Sequence, residues 1–212
     1  MMRFILIILI SICTYQSLTK ADEIKDLEIE GMALGDSLLD HFTKKEIDNF
    51  YIERYPKKDF IILSVVSEKF KNYDAMQFNT KRNDKKYIIE GIAGIIIYEK
   101  DLKACYKKKD EIVNDISSAF KNFYKNDAGR LNNPVGADPY GGTYDIVTFR
   151  KNKSMSSERI QISCNDWSEQ SGIVDSVKVE IYSEELVYFI DNVDFSFENH
   201  RKTVGHYVNK YV

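Results

Sequence analysis

Ser37 is the residue whose setting is closest to that of a catalytic nucleophile. It follows a glycine and an aspartate near the start of the chain, within residues 34–40. A serine hydroxyl attacks an ester only when an oriented base removes its proton, usually a histidine held by a carboxylate. The nearest candidates for that base are His200 and His206, and the third histidine of the chain is His41. A serine without such a base is an ordinary alcohol, so the case for catalysis depends on what surrounds Ser37.

Residues 34–40 resemble the first block of the GDSL-type esterases and lipases, which are often secreted and carry this motif near the mature N-terminus. The resemblance implies Ser37 as the nucleophile. That family also has a Gly-x-Asn-Asp block for the oxyanion hole and an Asp-x-x-His near the C-terminus. Here the nearest counterpart of the first block, residues 163–166, lacks the glycine, and neither C-terminal histidine has an aspartate three residues before it.

A structural role for the same segment agrees better with these departures. Gly35 would form a turn, and Asp36 would cap a helix whose apolar face begins at Leu38. We therefore predict a non-enzymatic protein with no catalytic residue. A secreted ester hydrolase with Ser37 as nucleophile is the alternative.

The histidines and aspartates match no metal-binding pattern. The spacing of the three histidines fits no ligand motif. Asp127, Asp138 and Asp145 surround a stretch rich in glycine and proline, but they lack the regular spacing of a calcium loop. We predict no metal site and no cofactor. The net charge of −3 at pH 7 also argues against a nucleic-acid partner, because neutralising phosphates requires a basic surface.

Residues 127–143 form the longest predicted loop, with two prolines and four glycines. Long loops on rigid scaffolds often carry binding sites, so Asp138 and Tyr140 are candidate binding residues. Trp167 is the only tryptophan and follows a predicted strand. It either anchors a ligand or partner, or it plugs the end of the core beside Cys164. We favour the plug and keep Trp167 as a third candidate binding residue.

The first 21 residues have the features of an export signal. A short basic start precedes an apolar run of nine residues, 5–13, and small residues stand at Thr19 and Ala21. That run is far shorter than the ~20 residues of a spanning helix. We predict cleavage before Asp22, a periplasmic or secreted location, and no membrane span in the mature chain. An uncleaved N-terminal anchor is the alternative.

Two cysteines remain after the signal, Cys105 and Cys164. Thiols in an oxidising compartment usually pair. Cys105 lies on the apolar face of a predicted helix, and Cys164 shares the parity of Ile160 and Ile162 on a predicted strand, so both sulfur atoms point toward one core. We predict a disulfide that joins the helix to the sheet. Two separately buried free thiols are the alternative.

The apolar pattern predicts a single α+β domain, residues 22–193. Two short helices within residues 35–51 precede three strands, a long helix over about residues 101–124, three more strands and a short helix from residue 184. Strands in groups of three favour meanders, so we expect an antiparallel sheet built from two three-strand meanders, packed against a long central helix. Residues 194–212 have weak periodicity and are expected to form a partly mobile C-terminal tail.

Four segments together resemble a group of small exported proteins of AT-rich marine alphaproteobacteria: residues 29–32, residues 35–39, residues 97–100 leading to Cys105, and residues 164–168 with Asp175. The likeness covers most of the chain between residues 22 and 193. It implies no activity, but it supports the structural interpretation of residues 35–37 and the cysteine pair.

The function we expect is that of an exported periplasmic or envelope protein. It would bind a small ligand or another envelope protein, through a sheet face or through the loop of residues 127–143. A purely structural envelope component is a third hypothesis.

Overall fold

The structure is a computed structural model, and it describes residues 23–55, 59–133, 138 and 140–193. Its strands are β1 Tyr51–Arg54, β2 Phe60–Val66, β3 Ala75–Lys81, β4 Gly91–Glu99, β5 Tyr124–Asn132, β6 Thr143–Arg150, β7 Arg159–Asp166 and β8 Asp175–Tyr182. They form one eight-stranded antiparallel sheet in the spatial order β1-β2-β3-β4-β8-β7-β6-β5. Each run of four strands starts at an outer edge, and the two runs meet where β4 pairs with β8.

The helices in this part of the chain are α1 Lys44–Ile47, α2 Leu102–Ala119 and α3 Glu184–Tyr188. Each begins at a residue whose side chain accepts a hydrogen bond from the first turn, which satisfies a backbone N–H that has no partner within the helix. These caps are Thr43, Asp101 and Ser183. The sequence thus marks every helix start with a short oxygen-bearing side chain.

One face of the sheet carries the main hydrophobic core. α2 packs on β4, β7 and β8, and its buried residues include Val113 and Ile116. The segment before β1 covers the first strands of the same face, where the rings of Phe42 and Phe50 lie 6.0 and 6.4 Å from that of Phe78. The core is therefore a layer between the sheet and the covering of α2 and the N-terminal segment.

The opposite face carries a smaller apolar cluster at one corner, made by Tyr55, Phe60, Ile62, Leu186 and Phe189. α3 reaches the sheet there because residue 91 is a glycine. A Cβ at Gly91 would lie 2.5 Å from Leu186 and 2.9 Å from Tyr182, which is closer than side chains tolerate. Beyond this corner many side chains of the face are polar, in alternation with the core residues of each strand.

The α+β class and the antiparallel sheet are confirmed, but each group has four strands where three were expected. β5 lies at the sheet edge with nearly every side chain exposed, so it lacks the alternation that identifies a strand, and its sequence favours a loop. β1 has only four residues, and its first, Tyr51, was expected in a helix. Two helix predictions also differ from the structure. In place of the helix expected over residues 35–42 there is only the 3-10 turn Leu38–Asp40, and α2 ends at Ala119 although it was expected to continue to about residue 124.

The predicted signal, residues 1–21, and the predicted tail, residues 194–212, lie outside the described residues. Within the described ranges, none of the helices has the length and apolar composition that crossing a membrane requires.

Candidate functional site

A disulfide fixes α2 against β7 at the end of the sheet where the candidate binding residues lie. Cys105 and Cys164 are bonded to each other, with a Cα–Cα distance of 5.8 Å, and both are fully buried. The predicted pairing is confirmed. Because the bond joins the first turn of α2 to the end of β7, it also fixes the positions of the residues that follow each cysteine, Tyr106 and Asn165.

Asp138 is the anchor of this end and is only 2% exposed. Its Oδ1 accepts hydrogen bonds from the Tyr140 N–H at 3.0 Å and the Ser168 hydroxyl at 2.6 Å. Its Oδ2 accepts from the N–H groups of Gly142 at 3.1 Å and Ser168 at 2.8 Å. Burial alone raises the pKa of Asp138, but these hydrogen bonds, led by those from Ser168, outweigh burial and hold the pKa below its ordinary value.

Gly142 allows the backbone to approach this carboxylate closely. A Cβ at residue 142 would collide with Asp138 Oδ2 and would lie 2.7 Å from the carbonyl oxygen of Asp166. A carboxylate offers about four lone-pair sites, and Asp138 uses that number within the protein. Asp138 therefore fixes the backbone at Tyr140, Gly142 and Ser168, and its carboxylate has no lone-pair site left over.

Tyr140 and Trp167 are brought to the same end by this anchor. The Tyr140 N–H binds the same carboxylate as Ser168, which directly follows Trp167. Tyr140 is 62% exposed, and Trp167 is half-buried. Trp167 is thus not fully buried, as a residue that plugs the core would be. All three candidate binding residues lie together, with Asp138 as the support.

Arg130 on β5 adds a cation to this group. Its guanidinium donates to Asp166 Oδ2 at 2.7 Å and to the Thr143 hydroxyl at 3.0 Å. It also lies over the ring of Tyr106, 5.6 Å from the centroid, where a cation is attracted to the aromatic face. Sequence reasoning missed Arg130 because it stands in a strand without apolar alternation. Tyr106 could have been found, since it follows Cys105.

Two enclosed polar atoms at this end have no hydrogen-bond partner within the described part of the chain. They are the hydroxyl oxygen of Tyr106 and Nδ2 of Asn133. The Asn133 nitrogen lies beside Gly142, 2.8 Å from where a Cβ of that glycine would be. Burial raises the pKa of Tyr106, so its hydroxyl keeps its proton at neutral pH. Buried polar groups are nearly always paired, so these two unpaired groups are exceptions that need an explanation.

Two more carboxylates brace the strands here. Asp175 accepts a hydrogen bond from the Trp167 N–H at 2.8 Å, and burial raises the pKa of Asp175, the opposite direction from Asp138. Asp145 on β6 pairs with Lys109 of α2, which is buried. Burial alone lowers the pKa of Lys109, but its contact with Asp145 raises it overall. This pair is a second tie between α2 and the sheet.

Ser37 lies elsewhere and caps the 3-10 turn Leu38–Asp40. Its hydroxyl donates to the Lys86 carbonyl oxygen at 2.6 Å and accepts from the Leu39 N–H at 3.1 Å. The cap is Ser37 and not Asp36, whose carboxylate instead accepts from the Ala33 N–H at 2.9 Å. Asp36 also lies 3.8 Å from Nε2 of the nearby His41.

The two other histidines, His200 and His206, lie outside the described residues. Across residues 23–55, 59–133, 138 and 140–193, no three His, Cys, Asp or Glu side chains gather as a metal site would require. Comparisons with protein families, with curated proteins and with solved structures found no match. Function is therefore argued from the site itself.

Proposed function

We propose that this protein is an exported, non-enzymatic binding protein of the periplasm or envelope, or a secreted one. It binds a ligand or a protein partner at the surface formed by Tyr106, Arg130, Tyr140 and Trp167, which we call the aromatic end. The observation that carries the proposal is the grouping of these four side chains, of which Tyr140 is exposed and Trp167 half-buried, beside two polar atoms on Tyr106 and Asn133 that have no hydrogen-bond partner among the described residues.

The residue types of the aromatic end are those that dominate binding energy in known interfaces. Trp, Tyr and Arg are enriched at hot spots because they combine a large apolar area with a directional polar group. Here Tyr140 is 62% exposed and the Arg130 side chain is 53% exposed. A partner could therefore reach both without unfolding any element.

The supports of the aromatic end favour binding without a large conformational change. The disulfide fixes Tyr106 from one side, and the Asp138 carboxylate fixes the backbone of Tyr140 and of the residue after Trp167. A surface that is already ordered loses less side-chain and loop entropy on association. The same disulfide agrees with folding in an oxidising compartment, which supports the export proposed from the signal-like first 21 residues.

Site-specific photo-crosslinking in the producing cells tests the proposal. A benzophenone side chain at residue 140 should give one discrete adduct with a partner. The matched control is residue 155, because Met155 is 60% exposed against 62% for Tyr140. Met155 precedes β7, whereas Tyr140 lies near Trp167, which follows β7. Residues 140 and 155 are therefore separated by the length of the strand, about 25 Å.

We expect the residue-140 adduct to weaken strongly in an Arg130→Ala background, while any residue-155 adduct stays unchanged. A small ligand would instead appear as added mass when the intact protein, purified from those cells, is measured by native mass spectrometry. That added mass should disappear in Trp167→Ala. Equal adducts at residues 140 and 155, or no adduct and no added mass, would contradict the proposal.

A further inference from the structure

A second group of charged side chains lies on the sheet face opposite α2, away from the aromatic end. The register places Tyr124, Arg150, Arg159 and Tyr182 side by side on four neighbouring strands. Arg159 has the opposite parity from the core residue Ile160 that follows it, so these four share the face that α2 does not cover. Two arginines are thus direct cross-strand neighbours.

Arg159 has one anionic partner. Its Nη1 lies 3.0 and 3.2 Å from the two carboxylate oxygens of Asp191. Its guanidinium lies over the Tyr182 ring, 5.5 Å from the centroid. Its Nε is enclosed and has no hydrogen-bond partner among the described residues.

Arg150 has no such partner. It is 6% exposed, its Nε is enclosed and unbonded, and no described residue forms a salt bridge with it. Burial and the charge of Arg159 lower the pKa of Arg150, and the nearby Asp191 carboxylate offsets them only in part, so the cation is held in unfavourable surroundings. A guanidinium nonetheless remains charged at neutral pH, so the folded protein holds a buried cation that forms no ion pair among the described residues.

The charges around the pair do not cancel. Asp191 is engaged by Arg159, and the neighbouring carboxylate Glu180 is engaged by Lys178 at 2.7 Å. Tyr182 also donates its hydroxyl to Glu180. A further cation, Lys153, lies 5.9 Å from the centroid of the Tyr124 ring. Among these residues four cations stand against two carboxylates, and the two unbonded Nε–H donors belong to adjacent strands.

We propose that Arg150 and Arg159 form an oxyanion-binding site on this face, which takes a carboxylate or phosphate group of a ligand. Cross-strand neighbours have Cβ atoms about 5 Å apart, a spacing at which two guanidiniums can both reach one oxyanion. Planar guanidiniums match the geometry of carboxylate and phosphate oxygens. Both Nε atoms are enclosed, so an anion reaches them only if a covering side chain moves, and the nearest exposed neighbour is Tyr124 on the edge strand β5.

Asp191 has a defined role in this proposal. Its carboxylate occupies part of the donor set of Arg159, so it competes with an incoming anion. Neutralising it frees Arg159 and removes a like charge from the site. The Asp191→Asn variant should therefore bind anions more tightly than the native protein, whereas loss of Arg150 should weaken binding. A merely structural role for these residues would not produce changes of opposite sign.

The experiment is an NMR titration of the arginine Nε–Hε signals of the full chain, with its disulfide intact. The probes are inorganic phosphate in one arm and succinate in the other, at constant ionic strength. Both signals of the pair should shift with saturation in at least one arm, and the stronger arm identifies the ligand group. Arg150→Gln should raise the apparent Kd about tenfold or more, since it removes a charged hydrogen-bond donor.

Lys125→Gln is the matched control. It removes the same charge from the neighbouring edge strand, but Lys125 lies over the ring of the core residue Phe149 and hence on the other face. It should leave the Kd unchanged. If Arg150→Gln does not fold, Arg150→Lys and Asp191→Asn decide, with weaker and tighter binding expected respectively. Shifts that do not saturate, an equal Kd in native and Arg150 variants, or no tightening in Asp191→Asn would overturn the proposal.

Discussion

Replacing Asp138 with asparagine tests whether one buried carboxylate holds the aromatic end together. Asparagine keeps the shape but offers one oxygen and one NH2 group. If the oxygen takes the Oδ2 position, it keeps the bonds from the N–H groups of Gly142 and Ser168. The NH2 group then faces the Tyr140 N–H, which is donor against donor. The Ser168 hydroxyl can rotate to accept from the NH2 group, so only one N–H is left unpaired. The flipped amide would face the N–H groups of both Gly142 and Ser168, which costs more.

The loss of stability in Asp138→Asn follows from the number of hydrogen bonds that asparagine cannot keep. One buried N–H loses its acceptor, which costs about 1–3 kcal/mol. The remaining bonds lose their ionic acceptor, and charge-assisted bonds are roughly twice as strong as neutral ones. We therefore expect Asp138→Asn to lower the free energy of unfolding by about 2–4 kcal/mol at pH 7.

Urea unfolding is the assay, followed by far-UV circular dichroism and by fluorescence. Trp167 is the only tryptophan, so fluorescence reports the aromatic end, while dichroism reports the whole sheet. Two controls remove the same charge. Asp115→Asn lies on the exposed side of α2, and Asp175→Asn removes a carboxylate whose pKa is raised by burial. Both should change stability much less than Asp138→Asn.

The difference between native protein and Asp138→Asn should also depend on pH. The pKa of Asp138 is lower in the folded protein than in the unfolded chain, where it is about 3.9. A depressed folded pKa gives stability that is present above the unfolded pKa and is lost as the pH falls through the folded pKa. The gap should therefore be full at pH 7 and should narrow from about pH 5 downward. A gap under about 1 kcal/mol at pH 7, or one that widens in acid, would refute the anchor role.

Two more substitutions test the remaining assignments. Cys164→Ala should lower the free energy of unfolding by about 2–5 kcal/mol in urea melts, because the bond to Cys105 closes a loop of 59 residues and loop-closure entropy alone gives about 4 kcal/mol. The intact mass of the exported protein should correspond to a chain that begins at Asp22 and should be about 2 Da below the fully reduced value. Free thiols would contradict the pairing. Ser37→Ala should cost about 1 kcal/mol as a lost cap, whereas short-chain nitrophenyl ester hydrolysis that disappears in this variant would favour the ester hydrolase.

The sequence predicted the disulfide because both cysteines stand among apolar residues with a clear period. Cys105 follows the helical spacing of α2, and Cys164 shares a strand parity with Ile160 and Ile162. A residue on the core face of an element must meet the core of its neighbour, so two such sulfur atoms were expected to approach each other. The apolar periodicity around each cysteine was therefore enough to predict the contact between the two sulfur atoms.

The edge strand β5 could not be predicted in the same way. Its side chains are exposed on both faces, so no apolar alternation distinguishes it from a loop. Arg130 meets Asp166 and Tyr106 only because β5 pairs with β6 and β6 pairs with β7, and sequence gives no register for such an edge strand. The same holds for Arg150 and Arg159, since their proximity is a property of register and not of spacing.

The residue that caps the 3-10 turn Leu38–Asp40 also could not be predicted from the sequence. Asp36 and Ser37 are both residues that cap helices well, and local sequence does not choose between them. Ser37 caps because its hydroxyl can also reach the Lys86 carbonyl oxygen, 49 residues away in sequence. That contact exists only in the folded sheet, and a tertiary contact has decided a local choice.

The two proposed sites lie at opposite ends of β7, and this placement makes them independent. Arg159 begins the strand and Trp167 follows its last residue, a separation of about 25 Å for an extended strand. Effects at sites more than about 10 Å apart with no shared partner usually add. The disulfide at Cys164 lies on the core face near one end only, so its loss should disturb the aromatic end before it disturbs the arginine pair. A ligand that bound both sites would have to span the strand, with an aromatic-binding group at one end and an oxyanion at the other.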